Sequence, residues 1–455
     1  MRLTDAGNAE RLLKLYGDDI LYCPQMKAWY VWDGRKWVED VHNGMYEMAV
    51  GVAQSYLKDA DKYKADDKRH TRLVKWATVS ENLPSIKAMI NIAQSNPEIC
   101  YNADELDHDP MLLNVLNGTI DLNTGKLHKF NPSDMITKIA PVTFVKGAKS
   151  TVWEKFMEDI IPDPDTRTFI QTAVGYSLTA STKEDKFFIL YGGGCNGKTT
   201  FVNTILSIMG SYASQASSHT IIRKRDNGPR DDMFVLMGRR FVAATETGES
   251  HHLDENLMKQ ITGGNRISVN PKYRTQIEFQ PTWKVWLDTN YEPKITGTDQ
   301  AIWRRPLKIP FSVSIPDAKR DPNLKPYLAS DRTEHSGILN WALEGVRMWK
   351  AVGLNPSQEI IDATKHYRSE QDLLGQFLSD CCQFHPQYAV SKCVIFDAFC
   401  HYCRQNFEVP RSKKAFGSQL LERGIKESRN AKERYWIGVK LDTSVNLHPS
   451  GFVTQ

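Results

Sequence analysis

Apolar residues recur along this chain in two rhythms. Met45, Met48, Ala49, Val52 and Tyr56 fall at helical spacing, which predicts helix from Met45 to about Ala93. Around positions 29–38 aromatic and polar residues alternate instead. The run Trp29-Tyr30-Val31-Trp32-Asp33-Gly34-Arg35-Lys36-Trp37-Val38 predicts a hairpin turning at Asp33-Gly34. The charged run from Lys58 to Arg72 reads as a solvated helix face and connection. Leu112 to Leu122, followed by Thr124-Gly125-Lys126, predicts short strands and turns, and Trp153 to about Ala180 predicts helix. A core then runs from about Phe187 to Ser312, its end punctuated by Pro310, Pro316 and Pro322. Leu339 to Val352 is an amphipathic helix, Gly353-Leu354-Asn355-Pro356 a linker, and a last module starts near Gln371.

One break in this pattern carries chemistry. The apolar run Phe187-Phe188-Ile189-Leu190-Tyr191 leads into Gly192-Gly193-Gly194-Cys195-Asn196-Gly197-Lys198-Thr199-Thr200, and a helical spacing follows (Phe201, Ile205, Leu206, Ile208, Met209). That order predicts strand, loop and helix around G-x-x-x-x-G-K-T. Glycines let backbone N–H groups curl around a polyphosphate, Lys198 supplies a cation for the β- and γ-phosphates, and Thr199 offers a hydroxyl to Mg²⁺. The segment Gly192 to Thr200 is therefore the candidate site for ATP or GTP.

Three later segments extend the site. Arg239-Arg240-Phe241-Val242-Ala243-Ala244-Thr245-Glu246 reads as a buried strand ending in an acid, and Glu246 is the candidate to hold Mg²⁺ and orient the attacking water. Thr245 stands where many such enzymes carry another acid, which leaves Glu246 to serve both roles; Glu249 is a weaker candidate. Lys284-Val285-Trp286-Leu287-Asp288-Thr289-Asn290 is a second apolar run, and Asn290 at its carboxyl end can contact the γ-phosphate or the water. Trp303-Arg304-Arg305-Pro306 offers a guanidinium for a neighbouring subunit's γ-phosphate; the choice between Arg304 and Arg305 stays open, with Arg305 favoured. Between acid and amide, Ile267–Val269 and Gln276–Phe279 read as two strands around the tip Asn270-Pro271-Lys272-Tyr273. Lys272 suits a backbone phosphate there and Tyr273 a stacked base.

Composition narrows the class. The 455 residues are 41% hydrophobic and 25% charged, as in a globular protein, and no apolar stretch approaches the ~20 residues of a membrane span. The amino terminus lacks an apolar signal core, so the expected location is cytoplasmic. Net charge is +4, but Lys392 to Lys440 holds eleven Lys/Arg against five Asp/Glu. A helix from Lys392 to Asn406, a second after Ser412 and a basic hairpin around Arg429-Asn430-Ala431-Lys432 form the order of a winged helix. Lys413, Lys414, Arg429 and Lys432 would then face DNA phosphates, unless the module serves protein contacts. Cys400 and Cys403 fit one face of the first of these helices better than a zinc site, because Cys381 and Cys382 are adjacent and give no second spaced pair.

As an ordered set, these motifs resemble the superfamily 3 helicases of viruses, phages and plasmids, in particular the C-terminal helicase part of phage/plasmid and poxvirus-type primase-helicases. The resemblance rests on Gly192 to Thr199, Phe241 to Glu246, Lys259 to Lys272, Leu287 to Asn290 with Pro293, and Asp299 to Arg305. It extends to Thr4-Asp5-Ala6-Gly7-Asn8-Ala9 with Trp32-Asp33-Gly34, and to Leu113-Asn114 through Asn117-Gly118 to Leu122. It implies an α/β fold: a P-loop AAA+-like ATPase core over 151–355, a mainly helical N-terminal domain with a hairpin over 1–150, and a winged-helix-like domain over 365–455.

The family's activity would be ATP- and Mg²⁺-dependent unwinding by a homo-hexameric ring on single-stranded and forked DNA, inside the host of a phage or other mobile element. Translocation would run 3′ to 5′. Lys198, Glu246 and Asn290 would come from one protomer and the arginine from the next, with Lys272 hairpins lining the channel. Family members often carry a primase domain ahead of the Thr-Asp-x-Gly-Asn-Ala segment, which here begins at residue 4, so no priming activity is expected and a separate primase or single-strand-binding protein is a conceivable partner. The other reading is an ATP-gated initiator or loader that melts origin DNA without processive unwinding.

Overall fold

A computed structural model describes residues 2–217, 220–223, 231–245, 251–270, 276–297, 299–430 and 433–442. The chain opens with helix α1 (Asp5–Tyr16) and a meander of strands β1 (Ile20–Cys23), β2 (Ala28–Trp32) and β3 (Trp37–Glu39). The β2–β3 turn is the expected one, with the Asp33 carboxylate accepting from the amides of Arg35 and Lys36. Helices α2 (Gly44–Ala60), α3 (Lys68–Ser80) and α4 (Leu83–Ala93) follow. Met45, Ala49, Val52 and Tyr56 share a buried cluster with Ala9, Leu12 and Met89. The Thr4–Ala9 segment is structural here. Thr4 caps α1, and Asn8 is fully buried, donating to Ser80 Oγ (2.9 Å) and accepting from Trp76 Nε1 (3.0 Å).

Strands β4 (Leu112–Val115), β5 (Gly118–Asp121) and β6 (Lys126–His128) form a second antiparallel sheet. Its Leu113, Val115, Ile120 and Leu122 share a core with Trp153, Phe188 and Trp286. Residues 1–150 therefore contain one helical unit with its own core plus two small sheets built onto the central region.

The central region begins with α5 (Thr151–Ile160) and α6 (Pro164–Leu178), separated by the Pro162 and Pro164 pair and capped by Ser150 and Asp163. Then come β7 (Phe187–Tyr191), α7 (Lys198–Met209), β8 (Ala213–Ala216), β9 (Phe241–Thr245), α8 (Glu255–Thr262), β10 (Ile267–Val269), β11 (Ile277–Phe279), β12 (Lys284–Thr289), α9 (Gln300–Trp303) and β13 (Pro306–Pro310). Helices α10 (Leu324–Ser330), α11 (Arg332–Val352) and α12 (Gln358–Gln371) close it. Five strands pair in the order β13-β7-β12-β9-β8, all parallel.

Parallel sheets are covered on both faces, which is why the three central strands are mainly apolar. Phe188, Leu190, Phe241, Ala243 and Trp286 enter one core; Phe187, Ile189, Val242, Ala244, Val285 and Leu287 enter the other. Trp286 stacks on Phe188 (4.3 Å) and Phe241 (5.3 Å) across three adjacent strands. Behind this face α6 and α11 cross at Gly175 and Gly345, where an added Cβ would lie about 2 Å from the opposing backbone.

The C-terminal part comprises α13 (Leu373–Cys381), β14 (Cys382–Ser391), α14 (Lys392–Gln405), α15 (Lys413–Glu422), β15 (Lys426–Arg429) and β16 (Arg434–Leu441). Its sheet is antiparallel in the order β14-β16-β15, and Phe377, Phe399, Cys403, Phe416 and Trp436 fill its core. Cys403 is an inward-facing residue of α14, as its spacing predicts. The predicted boundary at 365 falls inside α12, which packs Ile360 and Tyr367 into the central cores; the separate C-terminal core starts at Leu374. No helix among the described residues is long and apolar enough to cross a membrane.

Candidate functional site

The carboxyl edge of the parallel sheet gathers the motifs. The glycine loop joins β7 to α7. Gly194 (φ 93°) and Gly197 (φ 84°) hold left-handed backbone, and a Cβ on Gly197 would strike Ile160. Cys195 also has positive φ (50°) and is exposed. Gly192 is pressed by Asn196, whose amide donates to the Phe311 carbonyl at 3.2 Å.

Lys198 is the first residue of α7 and is 3% exposed. Its ammonium donates to the Gly192 carbonyl (2.7 Å), Asn196 Oδ1 (3.1 Å) and Asn290 Oδ1 (3.0 Å). Burial pushes its pKa down and the nearby Asp288 charge pushes it back up. The loop lysine and the predicted amide of β12 thus meet directly. Thr199 donates to Asp288 Oδ2 at 3.0 Å. Asp288 is the functional candidate that the reading of the motifs left unassigned. The signal was present as a lone carboxylate inside an otherwise apolar strand.

These groups line a cavity of about 500 Å³ together with Gly194, Gly197, Thr200, Gln215, Thr245 and Lys325. Thr245 ends β9 beside Asp288 in register and accepts from Gln215 at 3.3 Å. Glu246 and Glu249 lie outside the described residues. A larger, more apolar cavity of about 1380 Å³ adjoins it, sharing Cys195, Gly197, Thr200 and Lys325 and walled by Val152, Phe156, Ile160 and Ile315. Chemically, the edge offers backbone N–H groups and two lysines for an anion, oxygen donors for a hard cation and an apolar wall for a planar ring.

The two arginines diverge. Arg305 is 6% exposed; its Nε donates to Thr262 Oγ1 (2.8 Å) and its Nη1 to the Ala301 carbonyl. It fastens α8 to α9 inside its own subunit. Arg304 is the exposed one, paired with Asp185 at 2.9 Å. In the β10–β11 hairpin, Ile267, Val269, Ile277 and Phe279 bury the base, whereas Lys272 and Tyr273 lie outside the described residues.

In the C-terminal part Lys413, Lys414 and Arg429 are exposed; Lys432 is outside the described residues. Lys413 and Lys414 border a cavity of about 710 Å³ with Lys392, Arg434 and Trp436. Lys392 lies over the Trp436 ring at 4.1 Å and pairs with Glu427.

Two family models match the chain. Residues 9–162 match "D5 N terminal like", and residues 190–305 match a family of unknown function, DUF5906. Among similar proteins, "Putative helicase L207/L206" of Acanthamoeba polyphaga mimivirus is 23% identical over 79% of this chain and 41% of its own length. "Putative primase C962R" of African swine fever virus is 26% identical over 71% of this chain and 36% of its own. "Putative helicase V13" of Sputnik virophage is 21% identical over 90% and 55%. The chain thus spans about two fifths of the first two relatives. The apo structure of the NrS-1 C-terminal region superposes with a TM-score of 0.51 at 9% identity, covering 94% of this chain and 99% of that one, which shows a shared fold.

Proposed function

We propose that this chain, which is similar to viral proteins named putative helicases and primases, is a superfamily 3-type, ATP-dependent DNA helicase that works as a ring in the replication of a virus, phage, plasmid or related element. The observation that carries this reading is the contact of Lys198 with Asn290 at the carboxyl edge of the sheet. A cation in the first helical turn after a glycine loop, held by an amide from the neighbouring strand, is arranged to pass to the γ-phosphate and to report its loss through β12.

In this reading the glycine loop is a P-loop that cradles the phosphates, and the apolar cavity beside it takes the adenine. The hard oxygen donors at this edge fit Mg²⁺, which would withdraw charge from the phosphates. Thr199 and Glu246 would hold it, and Glu246 would orient the attacking water. Arg304, exposed and 2.9 Å from Asp185, is the guanidinium that can leave its ion pair for a neighbouring protomer's site. The tip bearing Lys272 and Tyr273 would touch the translocated strand. The C-terminal part, as a winged helix, would dock duplex through Lys413, Lys414, Arg429 and Lys432. ATP hydrolysis and strand separation, rather than primer synthesis, are the activities these residues support.

The test is strand separation on a forked duplex with Mg-ATP, comparing the wild type with Lys198→Ala. Unwinding that needs ATP and disappears in the variant is expected. DNA-stimulated hydrolysis without unwinding would replace the motor with an initiator or loader. ATPase activity indifferent to DNA would remove both.

A further inference from the structure

Walker-type sites hold Mg²⁺ between a loop hydroxyl and a carboxylate on a neighbouring strand. In this chain the described end of β9 is Thr245, a hydroxyl engaged by Gln215. Directly across in register, on β12, stands Asp288. Its carboxylate is 7% exposed and accepts the Thr199 hydroxyl proton at 3.0 Å. Among the described residues lining the phosphate-sized cavity, Asp288 is the sole carboxylate. We infer that Asp288 is a positioning carboxylate for Mg²⁺ at this site, supplied by β12 beside the Thr199 hydroxyl and in addition to Glu246. The inference rests on reading the site as one for a nucleotide.

The geometry explains the role. A threonine hydroxyl has one proton and two lone pairs. With its proton given to Asp288, Thr199 must turn its lone pairs away from β12, toward the cavity where the phosphates would lie. Adjacent ligands of an octahedron with metal–oxygen bonds of about 2.1 Å are about 3 Å apart, so the Thr199–Asp288 spacing also suits two neighbouring corners, one of them filled directly or through a bound water. Asp288 adds negative charge next to Lys198, and the site then holds a cation for phosphate and an anion for metal in two neighbouring hydrogen-bonded pairs, Lys198–Asn290 and Thr199–Asp288. Because Asp288 lies two residues before Asn290, the metal and the γ-phosphate contact would be fixed by one strand and would move together.

The test is calorimetric titration of ATP into the full chain at stepped Mg²⁺, and again in excess chelator, for the wild type, Asp288→Asn and Asp288→Asn with Thr245→Asp. For Asp288→Asn the half-saturating Mg²⁺ should rise about tenfold to a hundredfold, while ATP binding without metal is not weakened, since the lost carboxylate only repels the phosphates. Moving the carboxylate to the register partner through Thr245→Asp should recover most of that loss, which a purely packing role for Asp288 would not produce. An unchanged Mg²⁺ requirement in Asp288→Asn, or a raised one that Thr245→Asp leaves untouched, overturns the inference. Should Asp288→Asn fail to fold, Asp288→Ser removes the same charge with a smaller side chain, with the same rise expected and an unchanged requirement again decisive against it. Wild-type chain that binds no ATP even with Mg²⁺ would instead defeat the nucleotide reading itself.

Discussion

Two lysines are buried at opposite edges of the same sheet, and they do different things. Lys284 opens β12 at the amino edge and is 1% exposed. Its ammonium is capped by the carbonyls of Thr179, Ser181 and Thr282. Lys198, nearly as buried, has one carbonyl and two amide side chains as partners, Asn196 and Asn290, and a cavity beside it. Burial lowers the pKa of both. The carbonyls around Lys284 belong to packed backbone and cannot withdraw, so that lysine is a fastener. Asn290, exposed at the end of β12, can rotate away from Lys198 and be replaced by phosphate oxygens without breaking any secondary structure. Burial alone therefore does not separate a structural cation from a functional one; the mobility of its partners does.

The largest expected effect lies on the functional side. Lys198→Ala should lower ATP hydrolysis by about a hundredfold or more, read as phosphate release, with the unfolding transition close to that of the wild type. Near-normal turnover would erase the contrast between the two edges. Lys284→Met should behave oppositely. It strands carbonyls in the interior and should cost about 3 kcal/mol in urea unfolding, with ATP affinity of the folded protein kept.

The arginine pair repeats the comparison at smaller scale. Arg305→Ala should cost about 2 kcal/mol, because α8 and α9 lose their tie through Thr262. Arg304→Ala, which removes an exposed ion pair, should change stability by less than about 1 kcal/mol while depressing ATPase of the assembled protein. Mixing Arg304→Ala with Lys198→Ala protomers should return part of the activity. No recovery in mixed assemblies would argue that Arg304 acts within its own subunit or not at all.

The smallest effect is in pH. Lys284 has a folded pKa well below the ordinary lysine value, so between the two values the unfolded chain binds a proton that the folded chain has released. Stability from this group should then rise with pH through that window. The difference in unfolding free energy between wild type and Lys284→Met, followed toward pH 10, isolates it. A difference that shrinks as pH rises would mean the carbonyl cage keeps Lys284 charged.

Strands β7, β9 and β12 were legible because each is an apolar run bounded by polar signals, and a strand buried on both faces needs that composition. Strand β14 was not legible: Gln383-Phe384-His385-Pro386-Gln387 is exposed and mostly polar, and β14 is held to β16 by its two ends, with a break in register between Phe384 and Ala389. Helix α12 falls between the linker read at 353–356 and the module read from Gln371, and its polar run, which buries only Ile360 and Tyr367, gives little helical signal. The order of motifs pointed to Lys198, Thr199 and Asn290. The separate fates of Arg304 and Arg305 could not be read from adjacent identical side chains, since only packing decides which of them is enclosed.

The sequence by itself determined the local pieces: the glycine loop before a helix, the apolar strands, the capped helices and the basic C-terminal stretch. Each follows from periodicity, side-chain volume and backbone freedom within a few residues. The tertiary structure alone decided which pieces meet. The order β13-β7-β12-β9-β8 sets β12 between the loop strand and β9, and so joins Lys198 to Asn290 across 92 positions and Thr199 to Asp288 across 89. Strand order arises from crossovers that must bury both faces of one sheet at once, a condition on the whole chain that no single segment expresses.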